Sequence, residues 1–169
     1  ISTTRITLPE NLTPDLGRVD TARQHLEDPH WPLVFMLVLT QLSAGALASL
    51  WALGATQNAL VPLGIAFLSL MASTLHLGRP IHAVRALRNL RRSWLSREVF
   101  ALSLFAGVAS LFALAQQFAA PSVGLLGAAT AIAGAVGIYC SARLYMVPAR
   151  PAWNTLYTVG EFFATGLLV

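Results

Sequence analysis

VFALSLFAGVASLFALAQQF, residues 99–118, is the stretch whose reading decides the fold. Its apolar side chains fall on every face rather than along one stripe, which a water-facing surface helix cannot tolerate. At its length a helix reaches about 30 Å, the thickness of bilayer hydrocarbon. Working outward, Gln116-Gln117 and Pro121-Ser122 close this span, and another follows over about residues 123–144. That one is rich in Gly and Ala; Gly124, Gly127, Gly134 and Gly137 recur at a spacing that permits close helix contact. Upstream, residues 59–77 and 32–53 read as spans joined by a short uncharged turn at 54–58. Pro29-His30-Trp31-Pro32 marks the entry, since Pro suits a first helical turn and Trp the membrane interface. A fifth span starts near Trp153 and is still apolar at Val169.

Composition agrees. Hydrophobic residues make up 56% of the protein and charged residues 11%, against about a quarter charged in soluble domains. The mean hydropathy is +0.64. The expected fold is all-α, a polytopic transmembrane helix bundle of about five spans, the last incomplete, over residues 31–169. Residues 1–30 form a polar arm broken by Pro9, Pro14, Gly17 and Pro29. It reads as a solvated tail with at most a short helix near 20–26; the alternation at 3–8 is also that of an edge strand. Both ends of the sequence read as cuts in a longer protein. Cys140 is the single cysteine, which holds no disulfide, zinc or iron–sulfur cluster. No metal site is expected.

The positive charge is all arginine, with no lysine. Arg5, Arg18 and Arg23 precede the first span. Arg79, Arg85, Arg88, Arg91, Arg92 and Arg97 lie between the second and third, and Arg143 and Arg150 between the fourth and fifth. All share one side, and the opposite turns carry no charge. The positive-inside rule makes that side cytoplasmic. A sequence pI near 10.2 therefore points to lipid headgroups and a partner protein, not to nucleic acid.

Chemistry-bearing residues gather on the same side. His76 ends the second span, where Gly78 and Pro80 break the helix. Ile81, Val84, Leu87, Leu90 and Trp94 give an amphipathic stretch over 81–95 that can lie in the headgroup layer. Its Arg85, Arg88, Arg91 and Arg92 either anchor lipid or dock an acidic partner. Ser96 is expected to cap the third span, placing Arg97 and Glu98 in its first turn. His76 and Glu98 then sit at similar depth on adjacent helix ends. Individually, each also has a plain explanation: an interfacial hydrogen bonder and a helix-dipole partner. Glu161, about two turns into the fifth span, is expected to be a buried carboxylate partnered by Arg143 or Tyr145. Haem is not expected: His25 and His30 precede the first span and His82 lies outside the hydrocarbon, which leaves His76 alone.

The run His76-Leu77-Gly78-Arg79-Pro80 followed by Ser93-Trp94-Leu95-Ser96-Arg97-Glu98-Val99 resembles the membrane anchor subunit of dimethyl sulfoxide reductase-type molybdoenzymes (DmsC-like), with its H-L-G-x-P and L-S-x-E motifs. His30-Trp31-Pro32-Leu33, Gln41 and Gly45 fit too, as do Arg143-Leu144-Tyr145 and Pro151-Ala152-Trp153 before Phe162-Phe163. The resemblance covers about residues 31–169. It implies a haem-free anchor in a bacterial or archaeal cytoplasmic membrane that binds menaquinol or another quinol near one face. Electrons would pass to an iron–sulfur subunit and then to a molybdopterin catalytic subunit. The family's functional histidine and glutamate fall on His76 and Glu98, supported by Gly78, Arg79, Pro80, Ser96 and Arg97. Members have about eight spans, and some relatives fuse an iron–sulfur domain upstream of the first. Some present this face to the periplasm. A purely structural anchor is the rival reading. A transporter half fits less well, because it needs broken helices and polar groups at mid-membrane.

Overall fold

Long apolar stretches, short uncharged turns and proline or serine at the entries dictate helices laid side by side. The computed structural model of the protein describes residues 30–54, 58–76 and 87–168, the side chains of Leu75 and His76 excepted. Among the described residues five α-helices follow in order: α1 (Trp31–Ala52), α2 (Leu60–His76), α3 (Trp94–Gln117), α4 (Val123–Tyr145) and α5 (Leu156–Leu167), with a 3₁₀ turn, Leu87–Asn89, before α3. Among the described residues there is no strand. The arm at 1–29, with its suggested strand and helix, lies outside the described residues, as do Gly78, Arg79, Pro80 and Arg85.

Five helices thus stand where five spans are expected, and they differ in reach. Among the described residues α1, α3 and α4 are long and apolar enough to cross a membrane. Helix α2 has 17 residues and α5 has 12, so they rise only about 25 Å and 18 Å. Two boundaries move. The third span begins at Trp94 rather than Val99, because Ser93, not Ser96, is the cap. Ser93 has extended backbone, and its side chain accepts a hydrogen bond from the Ser96 N–H at 3.3 Å. The amphipathic stretch is not one helix to Leu95. Residues 87–92 are a 3₁₀ turn and turns, and Trp94 opens α3 itself.

At the other end α3 closes with a Schellman arrangement. The Ala120 N–H donates to Ala115 O (2.9 Å), and the Ala119 N–H to Gln116 O (3.2 Å). Ala119 takes the left-handed conformation this needs, φ 47°. Such a short turn makes α3 and α4 antiparallel neighbours, and they share the longest interface in the bundle. Helix α1 packs on α2, α4 and α5. The core runs through Leu47, Phe105, Ala109, Phe112 and Ala113. Outward, α3 and α4 show Leu111, Leu125 and Ile132, the last 66% exposed. Apolar side chains inside and out are what a helix bundle in lipid requires.

Glycines permit the closest approaches. A Cβ on Gly45 of α1 would overlap the Gly166 carbonyl of α5. One on Gly137 of α4 would lie 2.6 Å from Leu102 Cδ2 of α3. Gly127 and Gly134 also face neighbouring helices, whereas Gly124 faces open space and makes no such contact. Helices α1 and α2 are joined differently, by hydroxyls. Ser43 Oγ donates to Pro62 O at 2.7 Å, Ser69 Oγ to Met36 O at 2.9 Å, and Thr40 and Ser69 touch through their hydroxyls. Without water to satisfy them, these groups must find partners across the helix pair.

Candidate functional site

Glu98 stands in the second turn of α3, one turn deeper than expected, because the cap is Ser93. Its side chain is 3% exposed. It faces α4, where the Ser141 hydroxyl donates to Glu98 Oε1 at 2.5 Å. Ser141 is also buried. The pairing follows from the hairpin: Glu98 lies nineteen residues before Gln117, and Ser141 eighteen after Val123. Among the described residues Ser141 is the hydrogen-bond partner of this carboxylate, and no ion pair reaches it. Cys140 is buried next to Ser141.

His76 is the last residue of α2; its side chain lies outside the described residues. Depth can still be compared. Leu70 of α2 and Leu102 of α3 line the same small internal cavity. Counting from there at about 1.5 Å per residue, the backbone of His76 is about 9 Å nearer the arginine-bearing end, and that of Glu98 about 6 Å. The two therefore occupy neighbouring levels of adjacent helices.

Arg97 has a structural task. Its Nε donates to Leu90 O and its Nη2 to Arg91 O, both at 2.8 Å. Its guanidinium also lies 4.3 Å from the Trp94 ring centre. It thus ties the loop before α3 to the helix that follows. Arg143 contacts the same indole at 4.9 Å, and Trp94 meets Tyr139 edge-on. Arg88, Arg91 and Arg92 are exposed on that loop. Ser96 is buried in the first turn.

One expectation fails. Glu161 is exposed on α5, and Thr165 Oγ1 bonds its backbone carbonyl. Arg143 and Tyr145 turn elsewhere: Arg143 to Trp94 and Met146, Tyr145 to the rings of Trp153 and Phe162. The physical reason is that α5 packs on α1 through Gly166, which turns Glu161 outward. Conversely, sequence reasoning missed Ser141. Folding the sequence about the uncharged turn at 118–122 brings it opposite Glu98, so a signal existed.

Between α3 and α4 runs an apolar groove of about 360 Å³, lined by Phe100, Ala101, Leu104, Ile132 and Val136 among others. Ala101 is one helical turn from Glu98, so the end of the groove nearest the arginines approaches the carboxylate.

Fold and site together define a polytopic helical membrane protein whose one buried carboxylate, among the described residues, sits at the end bearing its arginines. It has a wall open to lipid beside it. The protein belongs to the DMSO reductase anchor subunit (DmsC) family, whose model matches residues 26–169. Three curated relatives place it further. An anaerobic dimethyl sulfoxide reductase polypeptide of Escherichia coli, YnfH, is 32% identical over 152 residues, which cover 82% of this sequence and 54% of the relative. A Haemophilus influenzae polypeptide, also of anaerobic dimethyl sulfoxide reductase, is 30% identical over 154 residues, covering 81% and 54%. A sulfite dehydrogenase polypeptide of Allochromatium vinosum is 35% identical over 123 residues, covering 64% and 38%. The present sequence thus spans about half the length of the two dimethyl sulfoxide reductase relatives. No solved structure matches it.

Proposed function

We propose that this protein is part of the membrane anchor of a molybdoenzyme complex and oxidises menaquinol or another quinol at its arginine-bearing end. Oxidation of a quinol to a quinone releases two electrons and two protons, so the site needs a hydrogen-bond partner for a quinol oxygen and a proton acceptor. In this reading His76 is the hydrogen-bond partner and Glu98 takes a proton. His76 is the last residue of α2, and the helix-breaking Gly78 and Pro80 and the cation Arg79, which follow it in the sequence, support the site in this reading. The iron–sulfur clusters and molybdopterin reside in partner subunits, or in a domain fused upstream, and carry the electrons onward. The anchor itself works without haem. Arg88, Arg91 and Arg92, on the loop that Arg97 secures, dock the electron-transfer subunit and meet anionic lipid, as does Arg85 earlier in the sequence. In this reading the arginine-bearing end faces the cytoplasm across a bacterial or archaeal cytoplasmic membrane, which the positive-inside rule supports.

The observation that carries this reading is the Glu98 carboxylate, buried in a lipid-embedded hairpin one turn from an apolar groove. Ionisable groups in membrane spans are costly, and function is their default explanation. The test uses the assembled complex in membranes, with a short-chain naphthoquinol as donor. Replacing His76 or Glu98 should stop reduction of the iron–sulfur clusters by the naphthoquinol while dithionite still reduces them. Normal quinol-driven reduction in both variants sinks the proposal.

A purely structural anchor is the second reading, favoured by one observation: the Glu98–Ser141 bond also joins two helices. It predicts the opposite pattern, with assembly lost in the Glu98 variant and quinol-driven reduction preserved in any complex that forms.

A further inference from the structure

Two buried side chains from different helices meet at the arginine-bearing end of the α3–α4 hairpin, and only one of them can act as a proton acceptor. Ser141 Oγ donates to Oε1 of Glu98 at 2.5 Å. Ser141 is 3% exposed, as is Glu98. Around them the hairpin is lined by small and apolar residues: Ala101 and Leu102 on α3, Gly137 and Cys140 on α4. A free glutamate has three rotatable side-chain torsions, and apolar walls offer nothing that fixes the last of them. The Ser141 hydroxyl does so, because a hydrogen bond to one carboxylate oxygen sets the plane of the group. Ser141 holds Oε1, which leaves Oε2 as the oxygen to receive a proton.

We infer that Ser141 is a positioning residue for quinol oxidation, holding Glu98 so that Oε2 takes the quinol proton. This rests on the reading of Glu98 given above. Ser141 touches the acid and not the quinol, so it governs the rate of the step rather than the binding of the donor. One proton moves from a quinol hydroxyl to Oε2 while the O–H electron pair remains on the quinol oxygen, the second leaves the other hydroxyl to the imidazole of His76, and the two electrons leave for the partner's iron–sulfur clusters, which are reduced.

The test measures cluster reduction by a short-chain naphthoquinol in the assembled complex, across donor concentrations. Ser141→Ala should lower the maximal rate about tenfold, because the carboxylate it orients is then free to turn away from the quinol, with the half-saturating naphthoquinol concentration within about twofold of the parent. Ser141→Thr, which keeps the hydroxyl, should recover most of the rate. If Ser141→Ala does not assemble, Ser141→Cys preserves the volume with a much weaker donor and should show the same loss of maximal rate. Glu98→Gln is run beside them. Parental kinetics in Ser141→Ala, or in Ser141→Cys where that variant replaces it, with Glu98→Gln inactive, overturns this inference and leaves the quinol site standing. Equal slowing in Ser141→Ala and Ser141→Thr also overturns it, since packing and not the hydroxyl would then matter. Full activity in Glu98→Gln removes the quinol reading itself.

Discussion

The α1–α2 pair and the α3–α4 pair solve one problem in two ways. In the first, hydroxyls of Ser43 and Ser69 reach across to backbone carbonyls of the facing helix, and Thr40 joins Ser69. In the second, alanines and glycines bring the helices together along an almost wholly apolar seam, and the polar contact between them is Glu98 with Ser141. Hydroxyl-to-carbonyl bonds cannot change protonation near neutral pH, so they serve packing alone. A carboxyl group can. Where one pair spreads its polarity over neutral groups and the other concentrates it in a titratable side chain, the second is the place to look for chemistry.

Four substitutions test that contrast, from the largest effect down. Gly137→Leu drives a side chain into Leu102, 2.6 Å from where its Cβ would sit. It should cost about 3 kcal/mol of stability, at the upper end for overpacking, read as denaturant unfolding in detergent. Retained parental stability would mean that the α3–α4 seam is looser than described. Arg97→Gln removes the bonds to Leu90 O and Arg91 O, about 1.5 kcal/mol for charge-assisted bonds. Hydrogen exchange of the Arg92 and Ser93 amides, which donate to Asn89 O, should then quicken about tenfold. Unchanged exchange would show that the loop is held by other means. Ser69→Ala should cost about 1 kcal/mol, the size of a hydrogen bond between membrane helices, and leave the rate of quinol-driven cluster reduction untouched. A slowed rate would break the division between a packing pair and a chemical pair. Ala119→Gly should gain about 0.5 kcal/mol, since glycine accepts the left-handed backbone that costs alanine more than glycine's extra backbone entropy. A small rise in melting temperature checks it; a fall would place the Ala119 backbone outside that region.

The bundle itself was legible because lipid imposes a coarse rule, long apolar stretches with short polar breaks, that composition alone reveals. Finer features depended on competition between similar residues. Ser93 and Ser96 are both good caps, and only the backbone shows that Ser93 is extended while Ser96 already lies in the helix. Arg97 was legible as a cation at the right place, yet its donors are committed to loop carbonyls, a fact that charge patterning does not encode. The orientation of Glu161 was hidden because it depends on which face of α5 packs against α1, and the small residue that decides this, Gly166, lies five positions further on. Ser141 was hidden for the opposite reason: a lone serine in an apolar helix is ordinarily satisfied by its own backbone, as Ser103 and Ser110 are.

The connection at residues 118–122 contains no charged side chain. Drawing it through hydrocarbon is therefore inexpensive, and α3 and α4 can enter the bilayer together as a preassembled hairpin, tip first. In that mode of insertion the glutamate near the base of the hairpin never has to traverse the lipid interior, and it meets its serine at the end from which both helices enter.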